Sequence, residues 1–315
     1  MRTSLILLAA AASAFAADKD FNGRWDIQVI NETRNRAWWL EVNGAGTPKP
    51  TGKFVSALRG DMNEITDLSI KNGALRFSFH REAGKTDAKP AHLVYTARLE
   101  GDKLSGTHEI LGRPNTKLQW IGHRAPVITD KDDGSWKPAK PVELFNGKDL
   151  SNWKAMVAGK ELGWKVENGI MKNVAGANNL CSVEKFWNFL LHSEFRLGQH
   201  TNGGLGLRGR YEIQILEDYG RPPDAHSAAA LYSRVAPSVN ASKRAGEWQT
   251  YDITLIGRQL TVVSNGKKVL DKVEVEGLTA MAHDWNEAVA GPLSIQGDHG
   301  PVEIRKLTIT PLVKK

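Results

Sequence analysis

Cysteine is almost missing from this chain: Cys181 is the only one in 315 residues. An intramolecular disulfide framework is therefore excluded, and a hydrophobic core has to hold the fold together. Nor is there a run of basic residues. The net charge is +7, but the Lys and Arg residues are scattered, and neither a basic stripe nor a nucleic-acid motif is visible. Past the first residues no apolar stretch is long enough to span a bilayer. No segment carries a 3.6-residue period long enough for a major helix. No His, Asp, Glu or Cys spacing specifies a metal. What remains is an all-β protein, with no nucleic-acid ligand and no membrane span expected. No cofactor is expected, a metal ion stays open, and the oligomeric state is not legible.

Export is read from the first residues, MRTSLILLAAAASAFAADKD. Arg2 supplies the positive start, Leu5 to Ala12 the apolar run, and Ala14-Phe15-Ala16 a small-x-small cleavage site. Residues 1–16 are read as a signal peptide, cut before Ala17, which points to a periplasmic or secreted protein. Asn31-Glu32-Thr33 and Asn240-Ala241-Ser242 match the glycosylation acceptor pattern, a pattern that chance often produces.

The segment 125–140, APVITDKDDGSWKPAK, is rich in Pro, Asp and Lys and lacks periodicity. It reads as a linker between a small β domain at 19–124 and a larger one at 141–315. The first part offers RWDIQVI, AWWLEV, GKFVSAL, EITDLSI, GALRFSF, LVYTARL, KLSGTHEI and KLQWIGH, short strands separated by turn residues. A small antiparallel barrel or sandwich fits, with no chemistry assigned to it. The second part offers FLLHSEFRL, WQTYDITLIG and PVEIRKLTI. Asn-Gly turns at 168–169 and 265–266 suit the positive-φ positions of tight hairpins. Two sheets packed face to face as a jelly roll would bury the apolar faces together.

The stretch GLGLRGRYEIQILED, read as one strand, alternates an apolar face with a polar one that carries Arg208, Arg210, Glu212, Gln214 and Asp218. A solvated outer face is the ordinary explanation. The sharper one is the floor of a binding groove. Some of the 10 tryptophans would pack in the core and others would stack on sugar rings.

The ordered set ELFNGKDLSNWK, GWKVENGIM, FWNFLLHSEFRL, TNGGLGLRGRYEIQILEDYG, GEWQTYDI, SNGKKVLD and GPLSIQGDHGPVEIRKLTI resembles the 3-keto-disaccharide hydrolase domain family over about 143–312. The resemblance implies a concanavalin A-like lectin/glucanase jelly roll that cleaves glycosides oxidised to a ketone at C3. Gly203 and Ala228-Ala229-Ala230 depart from the family's usual Ser and Thr-Gly-Ala-like run. A C3 ketone acidifies the C2 hydrogen, so a base can remove it and the C1 oxygen can leave. The site then needs a base, a cation for the enolate oxygen and an acid for the leaving group. Glu212 is a candidate base and His299, in the family-like GDHG, its rival. Arg208 and Arg210 are candidate enolate stabilisers, although close contact would weaken Glu212 as a base. Asn202, Gln214 and Gln296 are expected on sugar hydroxyls, Tyr232 and Trp248 on a ring face, and Asp218 on a hydroxyl or a metal. His192 and Glu194 are further candidates for lining the groove. Two other functions compete: a non-catalytic carbohydrate-binding protein on the same sandwich, and an ordinary glucanase with two working carboxylates.

Overall fold

The computed structural model describes residues 17–30, 32–58, 60–82 and 89–314. The expected signal peptide and the acceptor Asn31 lie outside the described residues. Among those described there is no α-helix, only a 3-10 turn at Asp18–Phe21 and twenty-three strands.

The first nine strands are β1 (Gly23–Ile30), β2 (Ala37–Asn43), β3 (Thr51–Val55), β4 (Met62–Ile65), β5 (Ser69–Lys71), β6 (Ala74–Arg81), β7 (Ala91–Glu100), β8 (Lys103–Ile110) and β9 (Leu118–Arg124). They form one antiparallel sheet in the order β4-β3-β2-β1-β9-β8-β7-β6-β5. Pairing of β1 with β9 gives the strand order of an up-and-down barrel, with its seam between β4 and β5. EITDLSI, expected as one strand, is therefore two. Asp67 breaks it by turning its carboxylate onto the backbone N–H and the hydroxyl of Ser78. Inward residues of alternating parity fill the interior with aromatics, among them Trp25, Trp38, Phe54, Phe77, Tyr95 and Trp120.

The remaining strands are β10 (Trp136–Pro138), β11 (Val142–Glu143), β12 (Trp153–Ala155), β13 (Trp164–Glu167), β14 (Ile170–Asn173), β15 (Leu180–Phe186), β16 (Phe189–Leu197), β17 (Asn202–Leu207), β18 (Tyr211–Leu216), β19 (Trp248–Ile256), β20 (Gln259–Ser264), β21 (Lys267–Glu274), β22 (Gly291–Ile295) and β23 (Val302–Lys314). One sheet runs β13-β14-β23-β16-β19-β20-β21, with β10 and β11 also on β23; the other runs β12-β15-β22-β17-β18. Their apolar faces meet in one core that contains Leu191, Phe195, Leu205, Tyr211, Ile213, Tyr251, Ile253 and Ile304. This is the expected jelly-roll sandwich. Asn168-Gly169 and Asn265-Gly266 turn its hairpins at positive φ, as their sequence requires.

The segment 125–140 is tied down rather than free. Trp136–Pro138 pairs with Leu312–Lys314, and the Asp130 carboxylate accepts from Trp187 Nε1 and Asn188 Nδ2. Barrel and sandwich also share packing: Ala37, Trp39 and Val55 join the sandwich core. Trp39 lies so close over Gly277 that a Cβ there would sit 2.4 Å from its ring. Below them is a buried polar knot. Arg258 grips Glu287 through two hydrogen bonds of 2.7 and 2.9 Å, and Tyr211 donates its hydroxyl to the same carboxylate. Asp26 of β1 faces Glu287. Burial and the charge on Glu287 push its carboxyl up to about 10, so it is a neutral acid at physiological pH.

Candidate active site

The polar stretch that stood out in the sequence is a hairpin, not one strand. β17 and β18 pair in register, with Gly204 opposite Gln214 and Gly206 opposite Glu212. Arg208 and Gly209 make the turn at φ 53° and 68°. The loop between the paired residues Leu207 and Tyr211 has three residues, an odd number, so odd-numbered side chains keep facing the core on both strands. That parity is why the hairpin imitates a single strand.

Glu212 and Gln214 project from the outer face of the five-stranded sheet into a cleft of about 280 Å³. Asn202 of β17 stands beside them, and Gln296, Asp298 and His299 come from the β22–β23 loop. Tyr232, Asn179 and Met156 complete that side. Ala280–His283 also line the cleft, together with Arg34, Arg36 and Gly60 of the barrel. Of the residues singled out in the sequence, the cleft thus gathers Glu212, His299, Asn202, Gln214, Tyr232 and Gln296.

Local sequence makes room for this arrangement. A Cβ at Gly204 would lie 2.7 Å from Glu212 Oε1, so this glycine, diagonal to Glu212 on the partner strand, leaves space for the carboxyl. A Cβ at Gly206 would strike Ser294 Oγ at 2.2 Å. In the β22–β23 loop a Cβ at Gly297 would meet the Asn178 carbonyl oxygen at 2.5 Å, and one at Gly300 would meet Thr201 at 2.9 Å. Two asparagines hold that loop. Asn179 Oδ1 accepts the N–H groups of Gly297 and Asp298 at 2.7 and 3.1 Å. Asn173 donates to the carbonyls of Gly297 and Gly300. These bonds carry Asp298 and His299 to the cleft on a fixed backbone.

The Glu212 carboxyl is buried, and no described donor bonds it; only its backbone is engaged, with Thr279 and Tyr232. Desolvation pushes its pKa up to about 8, against the opposing pull of a protonated His299. The imidazole of His299 is half exposed, and its Nδ1 lies 2.9 Å from Asp298 Oδ1. That hydrogen bond raises the pKa of His299 above its usual value and holds the carboxyl of Asp298 below the usual range, against burial. Gln214 Oε1 and Gln296 Oε1 are buried without a partner. A buried acceptor left unbonded costs on the order of 1–3 kcal/mol, a cost that a ligand hydroxyl would remove. Burial raises Tyr232 to about 12. His283, which also lines the cleft, is pushed down to about 4 by burial and is neutral.

The other expected site residues lie elsewhere. Arg208 is fully buried at the hairpin tip. It donates to Trp187 O at 2.6 Å, Gly257 O at 2.9 Å and Asn188 Oδ1 at 3.0 Å, and stacks on the Trp187 ring. This clamp fastens the tip to the other sheet and compensates for a non-glycine residue in the left-handed region. Arg210 is equally buried, bonded to Val289 O and 3.0 Å from Asp284. Neither guanidinium reaches the cleft, so neither stabilises an enolate there. Asp218 is spent on the loop that follows β18, accepting from Ala228 N–H at 2.9 Å and Ser242 Oγ at 2.7 Å. Trp248 lies on the larger sheet between the guanidiniums of Arg196 and Arg305, which cover its ring. His192 and Glu194 share that outer face, bonded to Asp252 and Arg305. Among the described residues, no group of three or more His, Cys, Asp or Glu is placed to hold a metal ion.

Asp298, Asn179, Arg34 and Arg36 were missed. Asp298 sits beside His299 in the sequence and could have been read as its partner. The others reach the cleft from distant strands, and no local pattern announces them.

A profile of the 3-keto-alpha-glucoside-1,2-lyase-like domain matches residues 140–310, just over half of the chain. The chain belongs to this family. The 3-keto-alpha-glucoside-1,2-lyase-like domain is thus the sandwich, from β11 to β23, with all of the cleft's lining except Arg34, Arg36 and Gly60, and the protein is a carbohydrate-active one. No curated protein matches the chain. Among solved structures, a candidate glycosyl hydrolase from Parabacteroides distasonis is 26% identical, covering 59% of this chain and 91% of its own, at a TM-score of 0.46. A second from the same organism is 20% identical, covering 55% and 94%, at 0.46. A non-specific endo-beta-1,3(4)-glucanase is 11% identical, covering 61% and 96%, at 0.38. The family assignment rests on the sequence match alone.

Proposed function

We propose that this protein is an exported enzyme that cleaves 3-keto-glycosides by elimination and hydration, with Glu212 as the base and His299 as the acid. The observation that carries the reading is the Glu212 carboxyl: buried, bonded by no described donor, and on a polar cleft that a carboxylate-supported imidazole also lines. A carboxylate that gives up its proton near pH 8 is a much stronger base than an exposed glutamate. In the proposed reaction Glu212 takes the C2 proton of the keto sugar, and the C2–H electrons form the enolate. Those electrons return to expel the C1 oxygen, which His299 protonates. The enone then takes up water, oxygen at C1 and hydrogen at C2. Asp298 keeps the imidazole oriented and favours its charged form. Asn202, Gln214 and Gln296 supply hydrogen bonds to sugar hydroxyls.

An ordinary glucanase needs two working carboxylates. Of the two carboxyls that line the cleft among the described residues, Asp298 is committed to His299, which favours the elimination. A pure binder would have no use for a buried carboxyl that no described donor bonds. The test is incubation with a 3-keto-glucoside beside its unoxidised parent, following release of the aglycone. Release from the ketone alone is expected; equal release from both substrates, or from neither, would reject the reading.

A further inference from the structure

The elimination leaves one role unfilled. Negative charge builds on the C3 oxygen as the C2 proton departs, and a positioned cation or donor near it is the largest single aid to such a step. Arg208 and Arg210 are locked away from the cleft. His299 is the proposed acid for the leaving oxygen, and His283 is neutral. Among the described residues, the remaining cations on the cleft come from the barrel, in the loop between β1 and β2.

We infer that Arg34 and Arg36 of the barrel are the enolate-stabilising residues of the sandwich's active site. The loop that carries them is built for placement. Glu32 accepts from the backbone N–H groups of Arg34 and Arg36 at 2.9 and 3.2 Å and pairs with Arg36 Nε at 3.0 Å. Asn35 turns the chain between them at φ 51°. One residue on, Ala37 donates its N–H to Ala282 O at 3.0 Å, which pins the loop to the cleft's own wall. Among the described residues Glu32 bonds Arg36 by Nε alone, which leaves its terminal nitrogens to the cleft, and Arg34 has no side-chain partner. A guanidinium keeps its charge at any working pH and offers several N–H donors in one plane, which suits an enolate oxygen. Both arginines line the same cleft as Glu212, Asp298 and His299, so a guanidinium and the proposed acid face one substrate space. On this account the barrel is part of the catalytic machinery rather than an appendage.

The inference rests on the proposed elimination, and its test separates the two. Full-length Arg34→Ala, Arg36→Ala and the double variant are assayed on a neutral 3-keto-glucoside, with kcat and KM resolved. The double variant is expected to lose ~100-fold or more in kcat, the usual scale for losing oxyanion donors. KM should change little, thermal unfolding should match the wild type, and Arg→Lys or added guanidinium should restore part of the rate. An unchanged kcat in the double variant, with Glu212→Gln inactive, would overturn the role of the arginines and leave the elimination standing. A rise in KM alone would overturn it too, since that marks ground-state binding only. A wild type inactive on the ketone would overturn the elimination and this inference with it.

Discussion

Replacing Glu212 by glutamine should stabilise the protein, and increasingly so as the pH rises. The carboxyl goes from an ordinary value of 4.5 to about 8 on burial, so the folded state holds its proton more tightly than the unfolded chain. Stability from the neutral carboxyl is complete below about pH 4.5 and is lost as the pH climbs through 8. Glutamine keeps the shape and never ionises, so the difference between variant and wild type isolates this one group. Relative to acid pH, integration of the proton linkage gives the variant about 1 kcal/mol at pH 5, about 3 kcal/mol at pH 7 and roughly 4–5 kcal/mol at pH 8.5. Urea denaturation of both proteins at these three values measures it. A difference that stays flat from pH 5 to 8.5 would refute the reasoning, because it would mean that Glu212 is solvated or paired and ionises normally.

On 3-keto-glucosides the same substitution should lower kcat by ~100-fold or more, the usual scale for a general base; steady-state assays on the ketone check it. The pH profile of kcat/KM should be bell-shaped, its limbs belonging to the Glu212–His299 pair. Asp298→Asn removes the bond that favours the charged imidazole and should move the His299 limb to lower pH, as rate profiles of both proteins would reveal. Gly204→Ala places a methyl 2.7 Å from Glu212 Oε1 and should cut activity at least tenfold with the fold retained, by assay and circular dichroism. In the buried knot, Glu287→Gln leaves the Arg258 charge without its counter-ion and should cost about 3 kcal/mol or more. Asp26→Asn keeps a neutral donor and should stay within ~1 kcal/mol of wild type at pH 7; urea titration separates the two.

The fold was largely legible because its signals are local. Alternation along FLLHSEFRL and WQTYDITLIG, and Asn-Gly at two turns, specify strands and hairpins without long-range information. Reading failed where two arrangements share one pattern. The Arg208-Gly209 turn keeps odd residues on the core face, so the β17–β18 hairpin reads like a continuous strand. The Asp67 break in EITDLSI is set by a bond to Ser78 on another strand. Within the site, Glu212 and Gln214 were visible through alternation and Asn202 through the family resemblance, whereas charge alone misled at Arg208 and Arg210. A buried arginine that caps carbonyls and one that faces substrate look alike in sequence. Arg34 and Arg36 were out of reach, since only the packing of the barrel on the sandwich brings them to the cleft.

The central claim is that Glu212 removes a proton from C2 before the glycosidic bond breaks. Cleavage of a 3-keto-glucoside in deuterated water tests it most directly, with mass and NMR analysis of the released keto sugar and a control for exchange in the free product. Elimination followed by hydration predicts solvent deuterium at C2 wherever the proton on Glu212 exchanges before hydration, a slower reaction with a C2-deuterated substrate, and no product beyond background with Glu212→Gln. Cleavage by the wild type that neither brings solvent deuterium into C2 nor slows with a C2-deuterated substrate would contradict the account.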